Sequence, residues 1–102
     1  MILFNTTFHV HKNADTAFRQ WISHTYIPAA LESGLLSSPL FTRIMIETDP
    51  EAKSYALQFT AQSEHDVEMW RNGIAADHLH ALSARHGESV LHFSTLMEIL
   101  QP

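Results

Sequence analysis

Three histidines and one arginine are the residues of this chain whose types and spacing best suit chemistry. His9 and His11 stand two apart in the run HVH. On an extended strand such a pair projects from one face about 6.6 Å apart, which serves a metal ion if a third ligand arrives from elsewhere. His92 is the candidate third ligand. The plainer alternative is two imidazoles at a strand end holding nothing, and no metal or other cofactor is expected. Arg43 sits mid-strand between Thr42 and Ile44. Its guanidinium can give two parallel donors to a carboxylate or enolate oxygen, with Gln58 and Asn5 adding amide groups. The alternative is an ion pair with Glu47 or Glu98. A general base would have to be His9 or His92. Arg43, Gln58, Asn5, His9 and His92 are thus the candidate ligand-binding residues.

Other patterns carry less. His78 and His80 lie two apart on a helical stretch and face different ways, so they do not make one site. The zinc-protease pattern H-E-x-x-H is absent. A haem role would need an exposed histidine beside an apolar cavity, which no sequence feature supplies. No motif amounts to a catalytic signature, so turnover and simple binding both stay open.

Charge and composition bound the partners. Six Lys and Arg against eleven Asp and Glu give a net charge of −5, which argues against nucleic acid and anionic membrane as partners. Eight histidines could carry the charge towards +3 in mild acid, though scattered surface imidazoles are the simpler reading. There is no cysteine, hence no disulfide and no thiolate metal site. The first residues do not form a signal peptide, and no apolar run approaches the ~20 residues of a spanning helix. A cytoplasmic protein of one domain, residues 1–102, is the expectation.

The elements that must position these residues follow from periodicity. Residues 2–11 alternate, with Ile2, Phe4, Thr6, Phe8 and Val10 on the apolar side. Asn13 is the expected cap of a helix with Asp15 in its first turn. The stretch Phe18 to Leu36 organises the chain. Phe18, Trp21, Ile22 and Thr25 form a helical stripe, Pro28 predicts a kink or break, and Leu31 and Leu35 continue the apolar contacts until Gly34 ends the helix. Strands are expected over Leu40–Thr48 and Ser54–Gln62, joined by a turn at Asp49-Pro50-Glu51-Ala52. Ser63 caps a second helix, with Asp66 in the capping-box position and Val67, Trp70, Ile74, His78 and Leu82 inward. Gly73 can bend it, and Gly87 stops it beside His86, where the helix dipole favours a cation. Val90–Leu100 is the last strand, with Leu91, Phe93, Thr95, Met97 and Ile99 read as its core face.

The order βαββαβ predicts an α+β, ferredoxin-like fold: a four-stranded antiparallel sheet with two helices on one face. The other face is left open. By alternation it would carry Leu3, Asn5, Thr7, His9 and His11, then Arg43, Met45 and Glu47 if Leu40, Thr42, Ile44 and Ile46 face the helices, then Gln58 and Thr60, then His92, Ser94, Leu96 and Glu98. Such a mixed surface suits a homodimer with two sheets face to face around a partly polar cavity for a small polar or acidic metabolite. The alternative is a non-catalytic interaction or structural module.

Trp21, Tyr26, Ile27, Pro28, Leu31 and Gly34 spell W-x4-Y-I-P-x2-L-x2-G. Together with Asn5, Arg43, Tyr55-Ala56-Leu57-Gln58-Phe59 and Phe93-Ser94-Thr95-Leu96-Met97-Glu98, this pattern resembles a small uncharacterised bacterial family, domain of unknown function 4286. In that family the position of Tyr26 is more usually histidine. The resemblance implies a ferredoxin-like fold. It also implies kinship with dimeric α/β-barrel proteins, a group that includes cofactor-independent monooxygenases, haem-degrading enzymes, isomerases and stress proteins. A similar tryptophan, histidine and proline pattern occurs in its ethyl tert-butyl ether degradation branch. Kinship of fold does not carry function with it.

Overall fold

The computed structural model describes residues 1–46 and 48–101. Strand β1 (Ile2–His11) alternates buried and half-buried along its whole length, as its sequence predicts. Strands β2 (Ser37–Ile44), β3 (Ala52–Ala61) and β4 (Val90–Glu98) complete one antiparallel sheet in the order β2-β3-β1-β4. All helices lie on one face. The molecule measures only 18 Å along its shortest axis, so nothing stands behind the sheet. The architecture is the expected ferredoxin-like one.

The first helical layer is a single rod rather than two pieces. Helix α1 (Asp15–Trp21) passes through a π turn (Ile22–Tyr26) into α2 (Ile27–Glu32) without a break. Pro28 is the physical reason. Its ring would strike the carbonyl one α-turn back, and it has no N–H to bond. Widening the preceding turn, so that the Ile27 N–H bonds to the Ile22 carbonyl, shifts the clashing carbonyl aside and keeps the chain helical. The extra residue also rotates the buried stripe. Phe18, Ile22, Tyr26 and Ala30 point inward, whereas Thr25 and Leu31 are exposed. One turn over five residues brings Trp21 and Tyr26 into a stack, with ring centroids 4.7 Å apart and planes 22° apart. The cap before this helix is His11, whose Nδ1 accepts from the Asn13 N–H; Asn13 itself lies inside a short 3-10 turn.

The second layer breaks at Gly73. Helix α3 (Glu64–Asn72) is capped by the Ser63 hydroxyl, which accepts from the Asp66 N–H. Helix α4 (Ile74–His86) starts afresh, and the break advances its inner face by one residue: Ala75 is buried where Ile74 was expected. A Cβ at Gly73 would stand 2.9 Å from the Met69 carbonyl oxygen, so only glycine fits the junction. Trp70 and Val67 are fully buried between this layer and the sheet. Asp49 closes the β2–β3 turn by accepting from Ala52 N through its carbonyl and from Glu51 N through its side chain.

The register inverts two of the expected strand faces. Residues paired across an antiparallel ladder share a face. Arg43 lies opposite Tyr55 and Phe41 opposite Leu57, and both partners are buried beneath the helices. His92 lies opposite Phe8 and Ser94 opposite Thr6, again on the helix side. Phe41, Arg43, His92, Ser94, Leu96 and Glu98 therefore face the helices. Leu40, Thr42 and Ile44 from β2, and Leu91, Phe93, Thr95 and Met97 from β4, face the open side. Phe93, expected in the core, is 64% exposed.

Candidate functional site

The five residues proposed from sequence do not converge. Asn5, His9 and Gln58 lie on the open face, on the two central strands. Arg43 and His92 lie on the other face and at opposite ends of one row, Arg43–Tyr55–Phe8–His92. Three inter-strand steps put their backbones about 14 Å apart, too far for one small ligand. The edge positions of β2 and β4 also keep Glu98 away from Arg43. The other suggested partner, Glu47, lies outside the described residues. Arg43 does make interactions within the protein.

His9 and His11 have local work. His9 Nδ1 shares a hydrogen bond with the Ser54 hydroxyl at 3.1 Å, and its Nε2 stands 3.7 Å from Asp49 Oδ2. His11 serves the 3-10 turn. With His92 across the sheet, the three imidazoles cannot meet at one ion. Among the described residues no group of three or more His, Cys, Asp or Glu stands in a metal-holding arrangement.

The open face is far more apolar than alternation suggests. Leu40, Leu91 and Phe93 are more than half exposed, and Ile44 and Met97 are 37% and 40% exposed. They flank a central polar row, Gln58–Asn5–Thr95, which Leu40 closes at the β2 edge. Asn5 Nδ2 donates to Thr7 Oγ1, while its Oδ1 is buried and has no partner among the described residues.

A cleft of about 540 Å³ opens on the helix side, between β4 and the α3–α4 layer. Phe4, Ala75 and Leu79 give it apolar walls; Arg71, Glu68, His92 and Ser94 supply polar groups. It exists because the helices cover β1 and β3 but leave β4 half bare: of that strand only Val90 is buried. Tyr26 reaches the cleft from the π turn. Burial pushes its phenol up to about 12, against smaller lowering effects of the Trp70 indole N–H and the Arg71 charge. Trp70 Nε1 is itself buried and has no hydrogen-bond partner among the described residues. His78 packs edge-on against the Tyr26 ring at 6.2 Å. Desolvation lowers the pKa of His92, so its imidazole is neutral at neutral pH. The same cause, reinforced by the Arg85 charge, lowers that of His86.

This wall offers a fixed cation at Arg71, a phenol that stays protonated at Tyr26, and an imidazole ready to accept a proton at His92. Such groups can hold a carboxylate, donate to an oxygen and receive a proton. Of these three residues sequence reasoning picked out His92, on the wrong face; Arg71 was missed. Its signal was position alone: it follows Trp70, the most buried large residue of α3, just before a glycine break.

His92 gives a direct test. A group whose folded pKa lies below its ordinary value of 6.5 binds fewer protons folded than unfolded between the two values. Stability is therefore complete above pH 6.5 and falls as the pH drops below it. We expect the His92 ring protons to titrate below 6.5 by NMR, and a His92→Gln variant to lose part of the acid-side decline. A His92 midpoint at or above 6.5 would contradict the placement.

The family model described as Domain of unknown function (DUF4286) matches residues 1–100, and the chain belongs to that family. Comparison with curated proteins gave no match. Solved structures share the fold, among them the following three. One is a mutant of MhuD with two manganese protoporphyrin IX bound per active site: TM-score 0.70, 14% identity, 100% of this chain and 97% of that one covered. Another is a dimeric ferredoxin-like protein from an uncultured marine organism: TM-score 0.68, 8% identity, 100% and 97% covered. The third is described as a putative antibiotic biosynthesis monooxygenase from Bacillus cereus: TM-score 0.56, 11% identity, 99% and 96% covered. At these identities the likeness is one of fold.

Proposed function

We propose that this member of the domain-of-unknown-function-4286 family is a homodimer joined through its open sheet face, and that each protomer binds a small acidic metabolite in the cleft between β4 and α3–α4. The inverted faces of β2 and β4 carry the reading. They turn Leu40, Leu91, Phe93 and Met97 outward and bring His92 into the cleft. An apolar sheet face of this kind is stable in water only when covered. A second copy suits it because a two-fold pairing sets the apolar flanks of one sheet on those of the other and brings the central Gln58, Asn5 and Thr95 opposite the same row of the partner. The fold relative described as dimeric supports this arrangement.

The metabolite belongs on the helix side, because Arg43 and His92 do not face the dimer. Arg71 would take the acid group, Ser94 and Tyr26 would hydrogen-bond it, and Phe4, Ala75 and Leu79 would bury its apolar part. His92 would then stand where a proton could be removed, which leaves room for turnover. The MhuD relative shows that this fold can hold a large planar ligand, though the charged Glu68 and Arg71 here favour a more polar occupant.

Native mass spectrometry of gently purified protein tests the cleft. A bound small molecule is expected on the wild type and should be lost from Arg71→Met and His92→Gln proteins that remain folded. A Soret absorption band would replace the acidic metabolite by a porphyrin. A wild type that carries nothing, and whose melting is unmoved by a panel of carboxylic acids, leaves the interaction module as the function.

A further inference from the structure

We propose that the metabolite held in the cleft is an α-amino acid with an apolar side chain, bound as its zwitterion; this rests on the cleft being the metabolite site, as proposed above. Two opposite charges on one helix carry the inference. Glu68 and Arg71 lie three apart on α3, and both line the cleft. That spacing sets two side chains beside each other on one helix face, where a glutamate and an arginine ordinarily join. Here they stay apart. Neither side chain makes an ion pair or a hydrogen bond with any described residue. The wall therefore holds one anion and one cation, each without a counterion among the described residues.

A metabolite with a carboxylate alone would meet Arg71 but stand beside Glu68, a like charge that weakens the contact. An α-amino acid removes the conflict, because its carboxylate meets Arg71 while its ammonium meets Glu68. One carbon separates its two charges, which suits partners one helical turn apart. Donors for the oxygen end are already in place. The Arg71 charge is felt at the Tyr26 phenol, which stays protonated. Thr6 is 3% exposed, and its hydroxyl shares a 2.9 Å hydrogen bond with Ser94, its one side-chain partner among the described residues. A buried hydroxyl hydrogen needs an acceptor, so Thr6 donates to Ser94 and leaves the Ser94 hydrogen for an oxygen of the ligand. Phe4, Ala75 and Leu79 receive the apolar side chain. At about 540 Å³ the cleft falls within the ~300–1,000 Å³ of small-ligand sites, with room beyond the head group.

L-Phenylalanine and hydrocinnamate, the same molecule without its ammonium group, are the probes; L-leucine and isocaproate form a second such pair. Each is titrated at constant pH and ionic strength and followed by NMR at the backbone amides of the cleft. In the wild type each amino acid should bind about tenfold more tightly than its deaminated counterpart, the worth of one charge-assisted contact. Glu68→Gln should abolish that preference by weakening the amino acids alone. Arg71→Met should weaken all of the compounds. Both changes fall at exposed positions, so the rest of the amide spectrum should stay that of the wild type. Acids that bind as tightly as the amino acids, or a preference that survives Glu68→Gln, would overturn the zwitterion and leave the acidic-metabolite reading standing. No saturable shift at the cleft from any of these compounds would remove both.

Discussion

Replacing Phe93 with glutamate is expected to convert the protein from dimer to monomer. In light scattering the wild type should show twice the 11.6 kDa chain mass at micromolar concentration, and the Phe93→Glu protein the mass of one chain. Phe93 is 64% exposed on the open face, in a row with Thr7, Ala56 and Thr42. In a two-fold pair of sheets each Phe93 is buried against the partner, so one substitution places two charges in the interface. Burying an unpaired carboxylate costs several kcal/mol, enough to dissolve a contact of moderate size. The protomer itself should stay folded, because Phe93 takes no part in its core. Circular dichroism should therefore be unchanged. A wild-type monomer, or a Phe93→Glu dimer, would remove the open face as the interface.

Truncating Phe59 should act in the opposite way, on folding rather than assembly. Phe59 is 1% exposed, opposite Phe4 on β1 and beneath the helices. Removing its ring leaves a cavity that close-packed neighbours fill only in part. The Phe59→Ala change is expected to cost about 3–5 kcal/mol, a large share of the ~5–15 kcal/mol that stabilises an ordinary domain. Urea unfolding measures it directly, best in the Phe93→Glu monomer, where stability does not depend on concentration. A cost below about 1 kcal/mol would mean that the helices do not seal this part of the sheet. Phe59 and Phe93, two phenylalanines on strands of one sheet, are thus expected to report on different events.

The element order and most of the core were legible in the chain. β1 and β3 alternate with so strong a contrast that their buried faces could be read directly. Ser63, Gly34 and Gly87 mark helix ends where local chemistry requires them. The sequence by itself also determined that Pro28 must disturb the first helix.

Tertiary structure alone decided how that disturbance is resolved. A broken helix and a π turn satisfy the same local rule, and packing of Tyr26 against Trp70 and Trp21 favours the latter. It also decided which faces of β2 and β4 meet the helices. Both strands carry large apolar residues on one side, and alternation reads the more apolar side as core. That rule fails when a second apolar surface exists outside the protomer. For β4, Leu91, Phe93 and Met97 outnumber the apolar residues on the helix side, so periodicity pointed outward. A slip of one residue exchanges every side chain between faces, and only the ladder with β1 fixes the register. The site followed the same logic. His92 and Arg43 were visible as chemistry, but their neighbours depended on strand order. That order set them at opposite edges of the sheet.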